Sequence, residues 1–215
     1  MSLPYRGKIR DRVSVASQRR REGHRGQVRH AILAAAGAVF LEVGLEALSM
    51  RKVAERAGYT ATTLYRYFTD KDDLVFAMTS EGLVAFTAAL REGRDAGNDP
   101  LSQIEGLGVA YVRFGLDHPA LYRLLFIQRP DFLGRSRGDI QTLRVESFSL
   151  LRETVSHAMG TGAATPGDAA AVSMSLWAVV HGVASLAITM PGVSRAQADQ
   201  MAVQAVGWCI RGIRE

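Results

Sequence analysis

With 215 residues the chain is long enough to bury a sizeable core in one or two domains, and its single cysteine, Cys209, excludes an intramolecular disulfide and any multi-cysteine metal site. The net charge of +5 is unevenly spread: residues 1–28 carry eight Arg or Lys, among them Arg19, Arg20, Arg21 and Arg25, against only Asp11 and Glu22. The rest of the chain is close to neutral, and no apolar run follows the basic residues, so neither export nor an oxidising compartment is expected and the cytoplasm is the simplest location.

Residues 26–215 read almost throughout as helix. Apolar residues recur at spacings of three and four, and alternating β-branched runs are absent, so the expected fold class is all-α, with about nine helices. After the basic arm, Ile32, Ala36, Val39, Phe40 and Val43 form one apolar stripe that Gly44 brings to a stop. Ser49 is placed to cap a second helix over about 50–57, with Leu48 and Val53 at the spacing of a hydrophobic staple. Gly58 breaks it, and Thr60 caps a third over about 61–67, with Tyr59 and Leu64 repeating the staple. Thr69 or Asp70 opens a longer fourth helix toward residue 92. Pro100 and Pro119 stand where a first helical residue tolerates proline. Thr165 with Asp168, and Ser194 with Gln197, have capping-box spacing and open the last two helices, about 166–190 and 195–213.

Residues 169–194 contain no Asp, Glu, Lys or Arg and approach the length of a membrane span. Ser173, Ser175, His181, Ser185 and Thr189 dilute the segment, and no Lys/Arg cluster flanks it, which favours a buried helix over membrane insertion. The five histidines show no metal-ligand spacing and no glycine-rich phosphate loop follows a strand, so no enzyme, metal or cofactor is expected. Cys209 reads as a buried core residue rather than a redox sensor.

Two short, separately capped helices joined at a glycine and braced by a preceding amphipathic helix satisfy what a helix-turn-helix needs. The second must project short polar side chains into a major groove about 12 Å wide while the first lies across the backbone. The stretch LSMRKVAERAGYTATTLYRYFTDKDDLVFAM, residues 48–78, resembles the DNA-binding region of the TetR/AcrR family in its Val53-Ala54 pair, Ala57-Gly58 turn, Thr60 cap, Thr63-Leu64-Tyr65 step, Tyr67-Phe68 pair and Lys71. With the first helix the resemblance covers about residues 28–78. It implies base-edge contacts from Thr60, Ala61, Thr62 and Thr63, and phosphate contacts from Ser49, Arg51, Tyr65, Tyr67 and Lys71. Many family members have glycine where Thr62 stands, so this side chain either adds a specificity contact or changes how closely the helix approaches DNA. On helical spacing alone, Leu64 and Phe68 point into the core. Arg25 and the arginines before it suit either a neighbouring minor groove or a nonspecific polycation.

Downstream, YVRFGLDHPALYRLLF (111–126) and Trp177-Ala178-Val179-Val180-His181-Gly182 resemble a C-terminal subfamily of these regulators marked by a Trp-x-x-x-His-Gly step. The resemblance implies an effector-binding body whose last two helices pair with those of a second subunit. Phe114, Phe126, Phe148, Met174, Trp177 and His181 are candidates to line its cavity, with ordinary core packing as the competing reading of each and a hydrogen bond to a neighbouring helix that of His181. The expected organisation is a flexible basic arm over 1–25, a helix-turn-helix domain over 26–72, and an antiparallel helical body over 73–215 for effector binding and homodimerisation. The implied partners are double-stranded DNA with a pseudo-palindromic operator, a small mostly apolar effector, and a second copy of the chain. The alternative is a ligand-binding bundle or enzyme whose helix-turn-helix is vestigial.

Overall fold

A computed structural model describes the backbone of residues 6–128 and 138–214, and the side chains of residues 20–127 and 142–214. The described residues are helical, without strands, and fall into two units, residues 1–75 and 76–215.

The first unit is built on α1 (Arg6–Ala47), α2 (Met50–Ala57), α3 (Ala61–Tyr65) and the first residues of α4 (Lys71–Asp95). The backbone of the basic arm is helical from Arg6 and runs directly into the expected first helix, where sequence reasoning placed a flexible segment; its side chains up to residue 19 lie outside the described residues. Gly44 adopts φ 74°, ψ 177°, a conformation left almost wholly to glycine, and the chain kinks there. The core beneath is the stripe read from sequence: Ile32, Ala36, Val39 and Phe40 pack with Leu48, Val53 and Leu64. Val43, the last residue of the expected stripe, is 39% exposed, because it stands at the kink.

Local chemistry terminates each short helix. Ser49 caps α2 by accepting from the Lys52 N–H, and Gly58, at φ 73°, closes it by donating to the carbonyls of Ala54 and Glu55. Expected through residue 67, α3 ends at Tyr65, because the Tyr67 N–H turns back to the Leu64 carbonyl (2.8 Å) and tightens the last turn. Asp70 caps α4, its carboxylate accepting from the Asp73 N–H at 2.7 Å, while the Asp73 carboxylate accepts from the Thr69 N–H at 2.9 Å.

The second unit comprises the remainder of α4, then α5 (Pro100–Asp117), α6 (Pro119–Tyr122) widening into a π-helical turn over Arg123–Gln128, α7 (Gly138–Gly160), α8 (Ala169–Thr189) and α9 (Arg195–Gly212). Asp99 and Ser102 form a reciprocal capping box at the start of α5. Ser194 and Gln197 form the expected one at α9. The box expected at Thr165 does not form. Its N–H donates to the Ile213 carbonyl (2.8 Å), tying the loop to the end of α9, and Asp168 itself caps α8 by accepting from Ala170 and Ala171.

Helix α5 is central, touching α7, α8 and α9. Its Ile104, Leu107, Tyr111 and Val112 meet Leu176, Val180 and Ala184 of α8 and Val206 of α9 in one core. Where α4 crosses α5, Gly93 and Gly106 allow backbone-to-backbone approach: a Cβ on Gly106 would stand 2.0 Å from the Gly93 carbonyl oxygen.

Candidate nucleic-acid interface and ligand cavity

In the first unit, the caps that form α3 also fix what it displays. Thr60 Oγ1 accepts from the Thr63 N–H at 3.1 Å and lies 3.0 Å from the Thr63 hydroxyl, so cap and neighbour share a proton. Thr60 and Thr62 are exposed, Ala61 and Thr63 half-buried, and Tyr65 is 55% exposed, while Leu64 and Phe68 are fully buried. The division agrees with helical periodicity: apolar residues inward, hydroxyls and one phenol outward. Tyr59, by contrast, remains exposed before α3 rather than closing a staple as Leu48 does before α2.

Around this helix sit cations and donors from three elements. Arg51 is exposed on α2 and Ser49 half-buried at its cap. The Arg25 guanidinium lies over the Tyr67 ring, 5.9 Å from its centroid, and Arg29 similarly over Phe68 at 5.3 Å. The Lys71 ammonium reaches the Glu46 carbonyl at 3.4 Å. Arg56 grips Glu42 through both carboxylate oxygens, at 2.7 and 2.5 Å, joining α2 to α1. The Arg56 hydrogen bond holds the Glu42 carboxyl below its usual range. Such a surface offers neutral hydroxyls flanked by positive charge, the combination that meets base edges and phosphates, and it lacks the paired titratable groups that acid–base catalysis uses.

The second unit encloses a cavity of about 200 Å³. Of the residues singled out by sequence, Phe126, Phe148, Met174 and Trp177 line it. Phe114 and His181 do not. Phe114 is one turn along α5 from the cavity wall, buried against Phe86 at 5.1 Å and the His118 ring at 4.6 Å between centroids. The His181 ring stacks behind Trp177 (5.0 Å, 21°) and its Nδ1 meets two phenols, Tyr122 Oη at 2.7 Å and Tyr111 Oη at 3.0 Å. One lone pair accepts from one donor, so the two hydroxyls divide the work: Tyr122 also reaches the His181 carbonyl (3.1 Å) and Ser185 Oγ (3.4 Å). Burial pushes the Tyr122 hydroxyl above the usual tyrosine range, against the pull of its hydrogen bonds to Ser185 and Tyr111, and it is held neutral. His181 is thus a structural tie between α5, α6 and α8, as the hydrogen-bond reading of that residue supposed.

Sequence reasoning missed Leu83, Phe86, Leu107, Tyr111, Leu125 and Val180 in the cavity wall, and its only polar members outside the aromatic residues, Arg144 and Ser147. Nothing separates Phe86 from any other core aromatic until α7 and the π-turn are placed beside it. Among the described residues no group of three or more His, Cys, Asp or Glu is placed to hold a metal. Cys209 is half-buried on α9, and burial raises its thiol above the usual range.

A capped helix-turn-helix in one unit and an apolar cavity in an all-helical second unit define the class: a helix-turn-helix regulator with a cavity-bearing body. The match to known families has the same two parts. Residues 32–78 match the bacterial regulatory proteins of the tetR family, and residues 104–206 match the tetracyclin repressor-like C-terminal domain. The chain belongs to the TetR family of bacterial regulatory proteins. The C-terminal match is to that domain as described, not to the narrower subfamily suggested by the Trp177-to-Gly182 step.

Among curated relatives, the HTH-type transcriptional repressor KstR2 of Mycobacterium tuberculosis is 34% identical over 88 residues, covering 40% of this chain and 44% of KstR2. The chain therefore spans just under half the length of such relatives. Solved structures match more fully. A protein of unknown function from Rhodococcus sp. RHA1 is 26% identical, with TM-score 0.73 over 87% of this chain and 96% of that one. The FadR regulator of Bacillus subtilis, solved with stearoyl-CoA, is 15% identical and has TM-score 0.73 over 86% and 98%, a likeness of fold alone.

Proposed function

We propose that the chain is a cytoplasmic, homodimeric transcriptional repressor that binds a pseudo-palindromic operator and releases it when a small, mostly apolar ligand enters the second unit. The observation that carries this reading is the outward row of Thr60, Thr62 and Tyr65 on a capped helix, with Arg25, Arg51 and Lys71 around it. Thr60, Ala61, Thr62 and Thr63 take the base edges; Ser49, Arg51, Tyr65, Tyr67 and Lys71 take phosphates; Arg25 joins them from the arm.

Dimerisation is supported by apolar side chains left uncovered on the last two helices, Leu186 of α8 and Val203 and Trp208 of α9, of which Trp208 is 65% exposed. A second copy covers them and, through two-fold symmetry, sets two reading heads about one DNA turn or a multiple apart. KstR2 is named a repressor and FadR was solved with an acyl thioester; both support a ligand-released repressor here. Release needs only that ligand and DNA prefer different conformations of the dimer.

The test is selection of bound sequences from a random duplex pool by purified protein at near-physiological salt. A recovered palindrome is expected. Recovery of no motif by folded, dimeric protein refutes the reading and leaves a ligand-binding body with idle heads.

A further inference from the structure

The cavity wall is apolar except at one place. Among the described residues that line it, Arg144 is the only side chain with a formal charge. It projects from α7 to the opposite wall, where its Nη2 donates to the Leu125 carbonyl at 3.1 Å. Leu125 and Phe126 stand in the π-helical turn, whose wider pitch brings both to the cavity. The neighbouring acid Glu146 is engaged by Arg91, and the Ser147 hydroxyl donates back to the Arg144 carbonyl at 3.0 Å.

A guanidinium stays charged at any pH the protein meets, and a charge facing a low-dielectric space attracts an opposite charge far more strongly than one in water. Its planar fork fits a carboxylate, which accepts on two oxygens. One cation in an otherwise neutral wall balances one negative charge, not the two of a phosphate monoester. The volume sets the rest: an engineered apolar cavity of about 150 Å³ holds benzene, so about 200 Å³ admits a ring with a short chain, or a medium-length alkyl chain.

We propose that the effector is a small apolar monocarboxylate, its aryl or alkyl body lying between Phe86, Leu107, Trp177 and Val180 and its carboxylate on the Arg144 guanidinium. The proposal rests on reading the second unit as the effector-binding body. It identifies Arg144 as the residue that selects acids over neutral molecules of the same shape. An ionised carboxylate enters an apolar cavity only where a partner replaces its water, and Arg144 is that partner.

Calorimetric titration of the full native chain, without DNA, tests this with octanoate, 3-phenylpropanoate and 4-phenylbutyrate, each against its primary amide at neutral pH. At least one acid is expected to bind ten-fold or more tightly than its amide. R144Q should bring acid and amide within two-fold of each other, and R144K, which keeps the charge but not the fork, should fall between. Absence of binding by all three acids at millimolar concentration, parity of acid and amide in the native chain, or a preference that survives in folded R144Q overturns the proposal. The native comparison stands even if R144Q does not fold. A palindrome recovered by selection with no acid preference overturns the Arg144 anchor alone; an acid preference with no operator overturns the repressor reading alone.

Discussion

Two glycines in neighbouring helices of the second unit should respond oppositely to the same added methyl group. In a helix interior, Gly→Ala gains about 1 kcal/mol from backbone propensity. At Gly182 on α8 a Cβ meets nothing within 4 Å in the chain, so Gly182→Ala should realise most of that gain. At Gly106 on α5 it would stand 2.0 Å from the Gly93 oxygen and 2.8 Å from the Gly93 carbonyl carbon. Both are backbone atoms, so α4 and α5 must separate by about 1 Å to restore ordinary van der Waals spacing. Forcing extra volume into a packed site costs about 1–3 kcal/mol or more, and after the propensity gain a loss of about 1–2 kcal/mol remains. For a chain of this size that lowers Tm by roughly 2–8 °C, with a rise of about 2–4 °C for Gly182→Ala. Urea unfolding followed by tryptophan fluorescence reads the second unit, since Trp177 and Trp208 both lie there. Protein concentration must be held fixed and then varied, because a dimer's stability depends on it. Equal stabilisation by both substitutions would refute the close α4–α5 crossing. A Gly182→Ala gain that disappears with rising concentration would place the open side of Gly182 against the partner subunit.

Thr62→Ala and Thr63→Ala should each weaken binding to the selected operator by about 1–3 kcal/mol while leaving nonspecific affinity nearly unchanged; competition titrations that find equal losses on both would remove these residues from base reading. Deleting residues 1–24 takes away most of the excess positive charge but none of the described buried residues, which begin at Val28. The slope of log K against log salt should flatten by about 0.9 for each phosphate that the arm no longer neutralises, and an unchanged slope would mean the arm does not meet phosphate. Asp117 is held below its ordinary value of 3.8, first by its hydrogen bonds from Arg195 and then by that residue's charge. A lowered folded-state value means that the stabilisation is present above pH 3.8 and lost as pH falls through the folded value. Asp117→Asn should therefore be less stable than the native chain near neutrality, with the difference vanishing toward about pH 3; a pH-independent difference would show that packing, not the ion pair, is what was removed. The pair is half exposed, so high salt should shrink the effect.

What the residues revealed in advance was mostly what they do to their own neighbours in sequence. Ser49, Thr60, Asp99 and Ser194 act on backbone groups two or three residues away, and each caps the helix expected of it. The buried stripe of α1 and the inward Leu64 and Phe68 follow from helical spacing alone. Thr165 misled because its spacing to Asp168 is right but the better partner is distant: the Ile213 carbonyl at the far end of α9 takes its N–H. The cavity was half legible for a similar reason. Phe126, Phe148, Met174 and Trp177 read as large apolar side chains on the correct helices, but Phe114 reads the same way and faces the core. Which face of α5 borders the hollow is decided by α4, α7 and the π-turn. The π-turn itself leaves no trace in RLLFIQ that separates it from an α-helix.

Arg144 was invisible for the opposite reason. A charged residue near the start of a helix is ordinarily solvated, and only the fold places it at the edge of an apolar space. Its position matters because the cavity is held from behind by two polar ties. On one side, Tyr111 of α5 and Tyr122 of α6 meet the ring of His181, against which Trp177 stacks. On the other, Arg144 of α7 holds the Leu125 carbonyl of the π-turn. The first tie is closed within the protein: phenol, imidazole and carbonyl satisfy one another, and replacing any member by an apolar residue leaves the rest buried without a partner. The second runs from a permanent cation to a neutral carbonyl, which a guanidinium binds less strongly than a carboxylate. A ligand that brings an anion to Arg144 therefore changes the charge balance of one wall while the opposite wall stays fixed. An amide of the same shape fills the same volume without that change. Apolar packing can give a ligand affinity for this cavity, but discrimination between filling it and altering its wall depends on the one cation there.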